Sequence, residues 1–537
     1  MRWSNYEDSI LRIVRCIIFL MSFAIAGCGG DDSSQSRVGD NTSTARRTNS
    51  KSGNSDKVRG RTHDQTPTNK NFASNGKTES DAGFDDSGNA EPPASNDVTN
   101  DSSSQPEKPA ARNKTPRVPR SPDLRPRHDD ERLASAGIFK YESKRLILYT
   151  DIDPEIARTL PALLDQTYVA WQDYFGPLPP ARDGSEFQMT GYLIKDRDRF
   201  QKCGLLPRNL PIEFHGQQSG YEFWMNDPTQ DYYRRHLLIH EGTHCYMTAI
   251  PGIKAPLWYM EGMAELFATH TVDANGKLNV RVMPDGQQHF LGWGRISLIQ
   301  REVSETGVQT LKVISALKSS DEIKVTTYAW VWALSSFLDS HPRYRDRFGE
   351  LARDLGRADF KRTFHGLYSH DLPDIWTEWP VFAASLKHGY DFERMAIKFQ
   401  RGEPLKAVGE SKSISIAVDR GWQSSHILVR QGEEYEVKPD GRFTVAQKPK
   451  PWVSEANGIS FRYCDGRPLG MLLAAIRCET GTGELQREPM LDTIPIGSGR
   501  KFIAATTGTL YFRINDFPGE LDDNAGSLKI EVRQNAE

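Results

Sequence analysis

The five residues His240-Glu241-Gly242-Thr243-His244 constrain this chain more than any other segment does. On an α-helix, positions i and i+4 lie on one face, so the two imidazoles can reach one metal ion. Glu241 is the next residue after His240 and stands beside that ion, where a carboxylate can accept a proton from water. The run 232–249 has the helical spacing of apolar residues that this arrangement requires.

A second block, W-Y-M-E-G-M-A-E-L-F at 258–267, follows on another predicted helix at about 257–270. Catalytic zinc takes a third protein ligand, which a carboxylate on a neighbouring helix can supply. Glu261 is the expected third ligand. Glu265 lies one turn later on the same face, where it is placed to hydrogen-bond a ligating histidine. Glu265 also remains the alternative third ligand, because either glutamate follows His244 at a workable distance.

The two blocks together resemble the gluzincin metallopeptidases, in particular the peptidase-MA-like branch related to aminopeptidase N and thermolysin. A looser likeness is to uncharacterised lipoproteins of planctomycete-type bacteria that share the second block. The resemblance implies an α+β zincin-like domain over 133–392 that holds Zn²⁺ through His240, His244 and Glu261. It also implies that Glu241 is the general base of peptide-bond hydrolysis. The aminopeptidase G-A-M-E-N element is absent from the sequence, so an endopeptidase and a hydrolase of another amide both stay open.

A third match is Y-A-W-V-W-A-L-S-S-F-L at 328–338, which resembles an aminopeptidase segment. In that family the tyrosine hydroxyl stabilises the oxyanion of the tetrahedral intermediate, and Tyr328 is the candidate for that role here. A half-buried tyrosine with no such role is the alternative. The run Tyr221–Met225 is a predicted edge strand just before the zinc helix, where an extended peptide could pair with it.

The N-terminus predicts a bacterial lipoprotein signal peptide over residues 1–28. The apolar run 16–26 is too short to span a bilayer as a helix but suits a signal peptide. It ends in Ile25-Ala-Gly-Cys28, which resembles the lipobox, and the resemblance implies a lipidated Cys28 and anchoring in the bacterial cell envelope. Residues 29–132 are rich in Ser, Asn, Asp, Gly and Pro, which predicts a disordered linker.

Beyond residue 392, short β-type runs alternate with Gly, Pro and Asp turns, which predicts an all-β sandwich over 393–537. The run 515–527 crowds acidic and amide side chains into one turn. Like charges this close repel one another unless they are solvated or neutralised. Calcium is suited to neutralise them, because it binds several oxygen ligands. The alternative is a set of ordinary Asx turns that bind no ion. The run resembles the calcium loop of PA-I-type galactose-binding lectins. The resemblance implies a lectin-like domain, carbohydrate as a partner class, and calcium held by the side chains of Asp516, Asp523 and Asn524 and by the backbone carbonyl of Glu520.

Charge and cysteine content limit the remaining classes. The formal net charge of −3 argues against a nucleic-acid binder held by a basic surface. In an exported protein the cysteines can form disulfides. Cys464–Cys478 is the plausible pair, and Cys203–Cys245 is a second candidate.

The leading interpretation is a lipid-anchored zinc hydrolase, a peptidase with a peptide or protein substrate, that carries a lectin-like module. The alternative is a non-catalytic cell-surface protein that binds carbohydrate or protein and has a structural zinc site. A zinc hydrolase of non-peptide amides is a third option. Glu241 favours an enzyme, because a structural site has no use for a general base.

Overall fold

The computed structural model describes residues 118–122, 125–212, 214–286, 294–318, 324–357, 359–479 and 488–535. All of these residues belong to one compact unit, Glu107–Glu537. The predicted signal peptide, the lipidation site Cys28 and most of the linker lie outside the described residues. Helix α1 (Asp130–Ser135) crosses the predicted linker end at 132, and Arg120 is already buried over the Phe187 ring. Because the residues that contact Arg120 lie far along the chain, the local composition does not reveal that this end of the predicted linker is ordered.

The first half is built on a mixed five-stranded sheet with the order β1-β2-β3-β5-β4. Strands β2, β3 and β5 are parallel, whereas β1 and β4 run antiparallel to their neighbours. Every residue of β3 is buried, which explains why its sequence is a continuous apolar run. The strands are β1 (Phe139–Glu142), β2 (Leu146–Thr150), β3 (Met189–Ile194), β4 (Gly216–Ser219) and β5 (Glu222–Asn226).

The predicted edge strand is wrong. Strand β5, which contains most of Tyr221–Met225, lies between β3 and β4, so β4 is the outer strand on that side. The sequence Gly216-Gln-Gln-Ser219 is polar and has no apolar alternation, so it carries no ordinary strand signal. Polar residues suit a strand whose outer edge faces solvent.

Helices make up most of the remainder of the first half. Helix α6 packs against both α5 and α9, and α9 also packs against α7, so these four helices meet at one place. The helices are α2 (Pro154–Ala157), α3 (Leu160–Phe175), α4 (Arg197–Lys202), α5 (Asp231–Thr248), α6 (Leu257–Ala268), α7 (Arg295–Thr306), α8 (Leu311–Ser315), α9 (Val325–Ser340), α10 (Arg345–Arg353), α11 (Phe360–Tyr368), α12 (Leu372–Ser385) and α13 (Phe392–Met395). A short hairpin of β6 (His270–Val272) and β7 (Leu278–Val280) follows α6. Within the described ranges, no helix has the length and hydropathy needed to cross a bilayer.

The second half is β-rich, as predicted. Two antiparallel sheets, β16-β10-β18-β8 and β13-β14-β17-β9, contribute to one hydrophobic core, and β15 pairs with β14. A small β11-β12 hairpin completes it. The strands are β8 (Ser411–Ala417), β9 (Gln423–Val429), β10 (Glu434–Asp440), β11 (Phe443–Thr444), β12 (Val453–Ser454), β13 (Asn457–Cys464), β14 (Arg467–Cys478), β15 (Ile494–Pro495), β16 (Arg500–Ile503), β17 (Gly508–Ile514) and β18 (Ser527–Gln534).

The two halves share a buried junction. Val381 of α12 packs in one cluster with Trp422 and Tyr511 of the β-rich half. The buried Glu378 carboxylate accepts hydrogen bonds from the Tyr344 hydroxyl at 2.9 Å and the Ile397 N–H at 2.7 Å. These contacts fasten the segment that leads into the β-rich half to the helices.

The expected disulfides are wrong, because the structure joins neither Cys464 to Cys478 nor Cys203 to Cys245. Cys464 pairs with Arg467 at the start of β14, whereas Cys478 is the last residue of that strand. A strand rises about 3.3 Å per residue, so the two cysteines lie far apart.

Candidate metal centre

Helix α5 presents both motif histidines to helix α6. The Nε2 atoms of His240 and His244 lie 3.1 Å apart. The Oε2 atom of Glu261 on α6 lies 3.4 Å from the first and 3.3 Å from the second. These three residues, of which His240 is buried and the other two are partly buried, form a His–His–Glu group that can hold a metal ion.

The spacing of the three atoms fits a metal ion. Metal–ligand bonds of about 2.0–2.2 Å in a tetrahedral arrangement place the ligand atoms roughly 3.3–3.6 Å apart. The observed distances of 3.1, 3.4 and 3.3 Å are close to that edge length. Two imidazoles and one carboxylate are also the donor set of an open catalytic zinc site, in which the fourth position is left for water or substrate.

The charges of the group also favour a cation. Burial by itself raises the pKa of Glu261, but the two histidines outweigh it and hold that pKa well below its ordinary value. Burial lowers the pKa of His240, yet hydrogen bonds to Glu261 and Glu265 raise it to about 10. The carboxylates around these imidazoles therefore attract positive charge, which either protons or a metal ion can provide.

Glu265 contacts the opposite nitrogen of the same imidazole. Its Oε1 atom lies 3.2 Å from Nδ1 of His240, and its Oε2 atom lies 3.5 Å from Nε2 of His236. Arg295 on α7 donates to both carboxylate oxygens, from Nε at 2.8 Å and from a terminal nitrogen at 2.7 Å. Glu261, and not Glu265, is thus grouped with the two Nε2 atoms. His236, His240 and Glu265 also lie close enough to hold an ion, but the guanidinium of Arg295 already neutralises that carboxylate.

The sequence motifs did not predict two residues of this centre, His236 and Arg295. His236 precedes His240 by four positions, so the helical face that it shares with the motif could have revealed it. Arg295 has no comparable signal, because it lies outside both blocks and reaches the centre only through the packing of α7.

Glu241 lies beneath the outer strand of the sheet. Its side chain is 5% exposed, and burial raises the pKa of its carboxyl above the ordinary value. A Cβ atom added to Gly216 of β4 would lie 2.2 Å from Oε1 of Glu241. The backbone of β4 therefore passes directly beside this carboxylate, and only glycine leaves room for both.

Tyr328 on α9 borders the same centre. The centroid of its ring lies 6.0 Å from that of His240, and burial raises the pKa of its hydroxyl, so the group is a neutral hydrogen-bond donor at ordinary pH. Four other residues of the segment 328–338 are buried in the core: Trp332, Leu334, Phe337 and Leu338.

The predicted calcium ligands behave differently: of the three side chains, Asn524 and Asp516 are hydrogen-bonded to each other. Asn524 donates from Nδ2 to Oδ2 of Asp516 at 2.9 Å, and its own buried Oδ1 has no partner. Burial raises the pKa of Asp516 to about 7. Glu520 instead accepts two hydrogen bonds from Arg462, at 2.8 and 2.6 Å. The Asp523 carboxylate accepts the Gln447 N–H at 3.3 Å.

The turn between these residues packs on the helical half of the protein. A Cβ atom added to Gly519 would lie 2.6 Å from the carbonyl oxygen of Gly389. The N–H of Asp391 donates to the carbonyl of Pro518 at 3.1 Å. The helical half thus closes one side of this loop to any ligand.

Comparisons with known proteins supply no assignment. No protein-family model matches the chain, and no curated protein matches its sequence. Among solved structures, the chain is similar to the N-terminal domain of EclA, a PllA-like lectin, with 18% identity, 23% of this chain and 94% of that chain covered, and a TM-score of 0.18. It is also similar to PliG of Aeromonas hydrophila, a periplasmic inhibitor of g-type lysozyme, with 7% identity, 26% and 96% covered, and a TM-score of 0.16.

Proposed function

We propose that this protein is a zinc-dependent hydrolase, and specifically a peptidase. The observation that carries the proposal is the convergence of two Nε2 atoms and one carboxylate oxygen, 3.1–3.4 Å from one another, with Glu241 next along the same helix. The donor chemistry fits zinc, because imidazole and carboxylate together are its usual catalytic ligands.

The residues of the centre divide the chemistry between them. Zinc bound by His240, His244 and Glu261 would supply a Lewis acid that polarises the scissile carbonyl and makes water more acidic. Glu241 accepts the proton of the attacking water and later delivers it to the leaving amine, for which its raised pKa is suited. The neutral hydroxyl of Tyr328 donates a hydrogen bond to the developing oxyanion.

The outer strand β4 supports a peptide as the substrate. Its inner side pairs with β5, and it is the last strand of the sheet on that side. An extended peptide can hydrogen-bond to such an edge and thereby lay its backbone beside Glu241. A small amide without a repeating backbone would use few of these groups, so the edge favours the peptidase over the other amide hydrolases.

The proposed setting is the bacterial cell envelope, reached through lipidation of Cys28. Two acyl chains on that cysteine would be enough for stable anchoring. A Cys28→Ala variant should move from the membrane fraction to the soluble fraction, and unchanged fractionation would refute the anchor.

The test compares wild type, Glu241→Gln and Glu350→Gln, the last being an exposed glutamate on α10. Zinc content is measured by mass spectrometry, and cleavage is measured on a mixed peptide library. We expect all three proteins to hold zinc, and Glu241→Gln to lose about 10²–10⁴-fold in turnover. Full activity of Glu241→Gln would refute the mechanism. Zinc without cleavage in every protein would favour a structural site in a binding protein.

A further inference from the structure

Arg295 contacts two parts of the metal centre from outside both motif blocks. Its guanidinium donates to both oxygens of Glu265, at 2.8 and 2.7 Å. Its central carbon lies 5.7 Å from the centroid of the Tyr328 ring, within the range of a cation–π contact. One side chain thus joins the carboxylate behind His240 to the proposed oxyanion donor.

The position of Arg295 is unfavourable for its own helix. It is the first residue of α7, where the helix dipole disfavours a cation, and Gly294 before it offers no side-chain cap. Its side chain is also mostly buried. An arginine at this place therefore gains its stability from contacts beyond the helix.

Glu265 needs such a partner. The residue is 2% exposed, and a buried charge without a partner strongly destabilises a fold. The guanidinium of Arg295 supplies the opposite charge at hydrogen-bonding distance from both carboxylate oxygens. The two parallel N–H donors also fix the plane of the carboxylate, which a lysine ammonium cannot do.

The orientation of Glu265 determines the orientation of His240. With the carboxylate plane fixed, Oε1 lies 3.2 Å from Nδ1 of His240, on the side of the ring opposite to the Nε2 atom that faces His244 and Glu261. Partners behind a ligating histidine typically change metal affinity by about 10–100-fold.

We propose that Arg295 is a positioning residue of the metal centre: it clamps Glu265 in the plane that turns Nε2 of His240 toward the metal, and it seats the ring of Tyr328. The inference rests on the metal centre of the proposed function, but it holds whether or not that centre hydrolyses peptides.

The experiment measures metal affinity without any substrate. Apo-protein of the full chain is titrated with Co²⁺, followed by its visible absorption, and Zn²⁺ affinity is measured by competition with a chromophoric chelator. We expect Arg295→Met to weaken binding about 10–100-fold and Arg295→Lys to recover only part of that loss. Arg301→Met, on the exposed side of the same helix, should bind like wild type.

A double-mutant cycle separates positioning from general damage to the fold. In a Glu265→Gln background, Arg295→Met should weaken metal binding no further, because the carboxylate that it orients is gone. Equal, additive losses in both backgrounds would overturn the proposal, as would wild-type affinity in Arg295→Met. Either of those results would leave the hydrolase proposal intact, whereas a wild-type protein that binds neither metal would refute both.

Discussion

The sequence predicts a metal site both on α5 and α6 and in the acidic loop at 515–527. In the structure, the predicted ligands converge on the helices but not throughout the loop. On the helices, His240, His244 and Glu261 point at one place, because helical periodicity fixes which side chains share a face. In the loop, the Asp523 carboxylate instead accepts a backbone N–H. Spacing along a helix thus predicts convergence, whereas crowding along a loop does not.

The electrostatics of the two regions differ in the same way. Glu261 is buried beside two histidines, and its pKa falls. Asp516 is buried beside the amide of Asn524, and its pKa rises to about 7. A neutral amide cannot offset the loss of hydration of a carboxylate, whereas a cation can.

The largest difference between the two regions should appear when one predicted ligand is removed from each. His244→Ala should reduce Zn²⁺ affinity by more than about 100-fold, because two protein ligands do not hold a catalytic metal ion. Asp523→Ala should leave both Zn²⁺ affinity and the melting temperature within experimental error of wild type. Equilibrium dialysis and thermal melting measure the two quantities, and zinc retained by His244→Ala would break the comparison.

The next effect concerns the hydroxyl of Tyr328. Tyr328→Phe should lower kcat about 10²–10³-fold with little change in KM or zinc content, because the lost hydrogen bond is made only to the oxyanion. Steady-state kinetics on a peptide identified from the library measure the split. A rise in KM alone would instead assign Tyr328 to substrate binding.

A smaller effect should follow from filling the space beside Glu241. In Gly216→Ala the new Cβ would clash with Oε1 of Glu241, so we expect the carboxylate to shift and turnover to fall about tenfold or more. Gly349→Ala on α10 is the matched control, because a Cβ there meets nothing within 4 Å. Equal turnover of the two variants would show that β4 does not constrain Glu241.

In the acidic loop, the expected effect is a pH dependence of stability from Asp516. Its pKa is about 7 in the folded protein and about 3.9 when unfolded, so only the folded state holds the proton between those values. Stability from this group therefore falls as pH rises from 4 to 7, by on the order of 4 kcal/mol, and stays low above 7.

Comparison of melting temperatures at pH 5 and pH 8 measures this dependence. Asp516→Asn should be more stable than wild type at pH 8 and similar at pH 5. If the loop binds calcium, millimolar CaCl₂ at pH 8 should raise the wild-type melting temperature and leave Asp516→Asn unchanged. No response of either protein to calcium would remove the ion from this loop.

Much of the helical half could be predicted from the sequence. The spacing of apolar residues predicts α5 and α6 within a few residues of their observed bounds. It did not reveal α12, in which Pro380 interrupts the usual helical signal. The sequence pattern did not predict strand β4, because its backbone hydrogen bonds, and not its side chains, hold it in the sheet.

The sequence by itself determined the donor set, because residue type and helical spacing are local properties: two imidazoles and two carboxylates on two helices. Only the tertiary structure decided which glutamate faces which ring nitrogen, that β4 covers Glu241, and that Arg295 clamps Glu265. These contacts join residues from separate elements. Their geometry depends on how the sheet and helices pack, which no local pattern encodes.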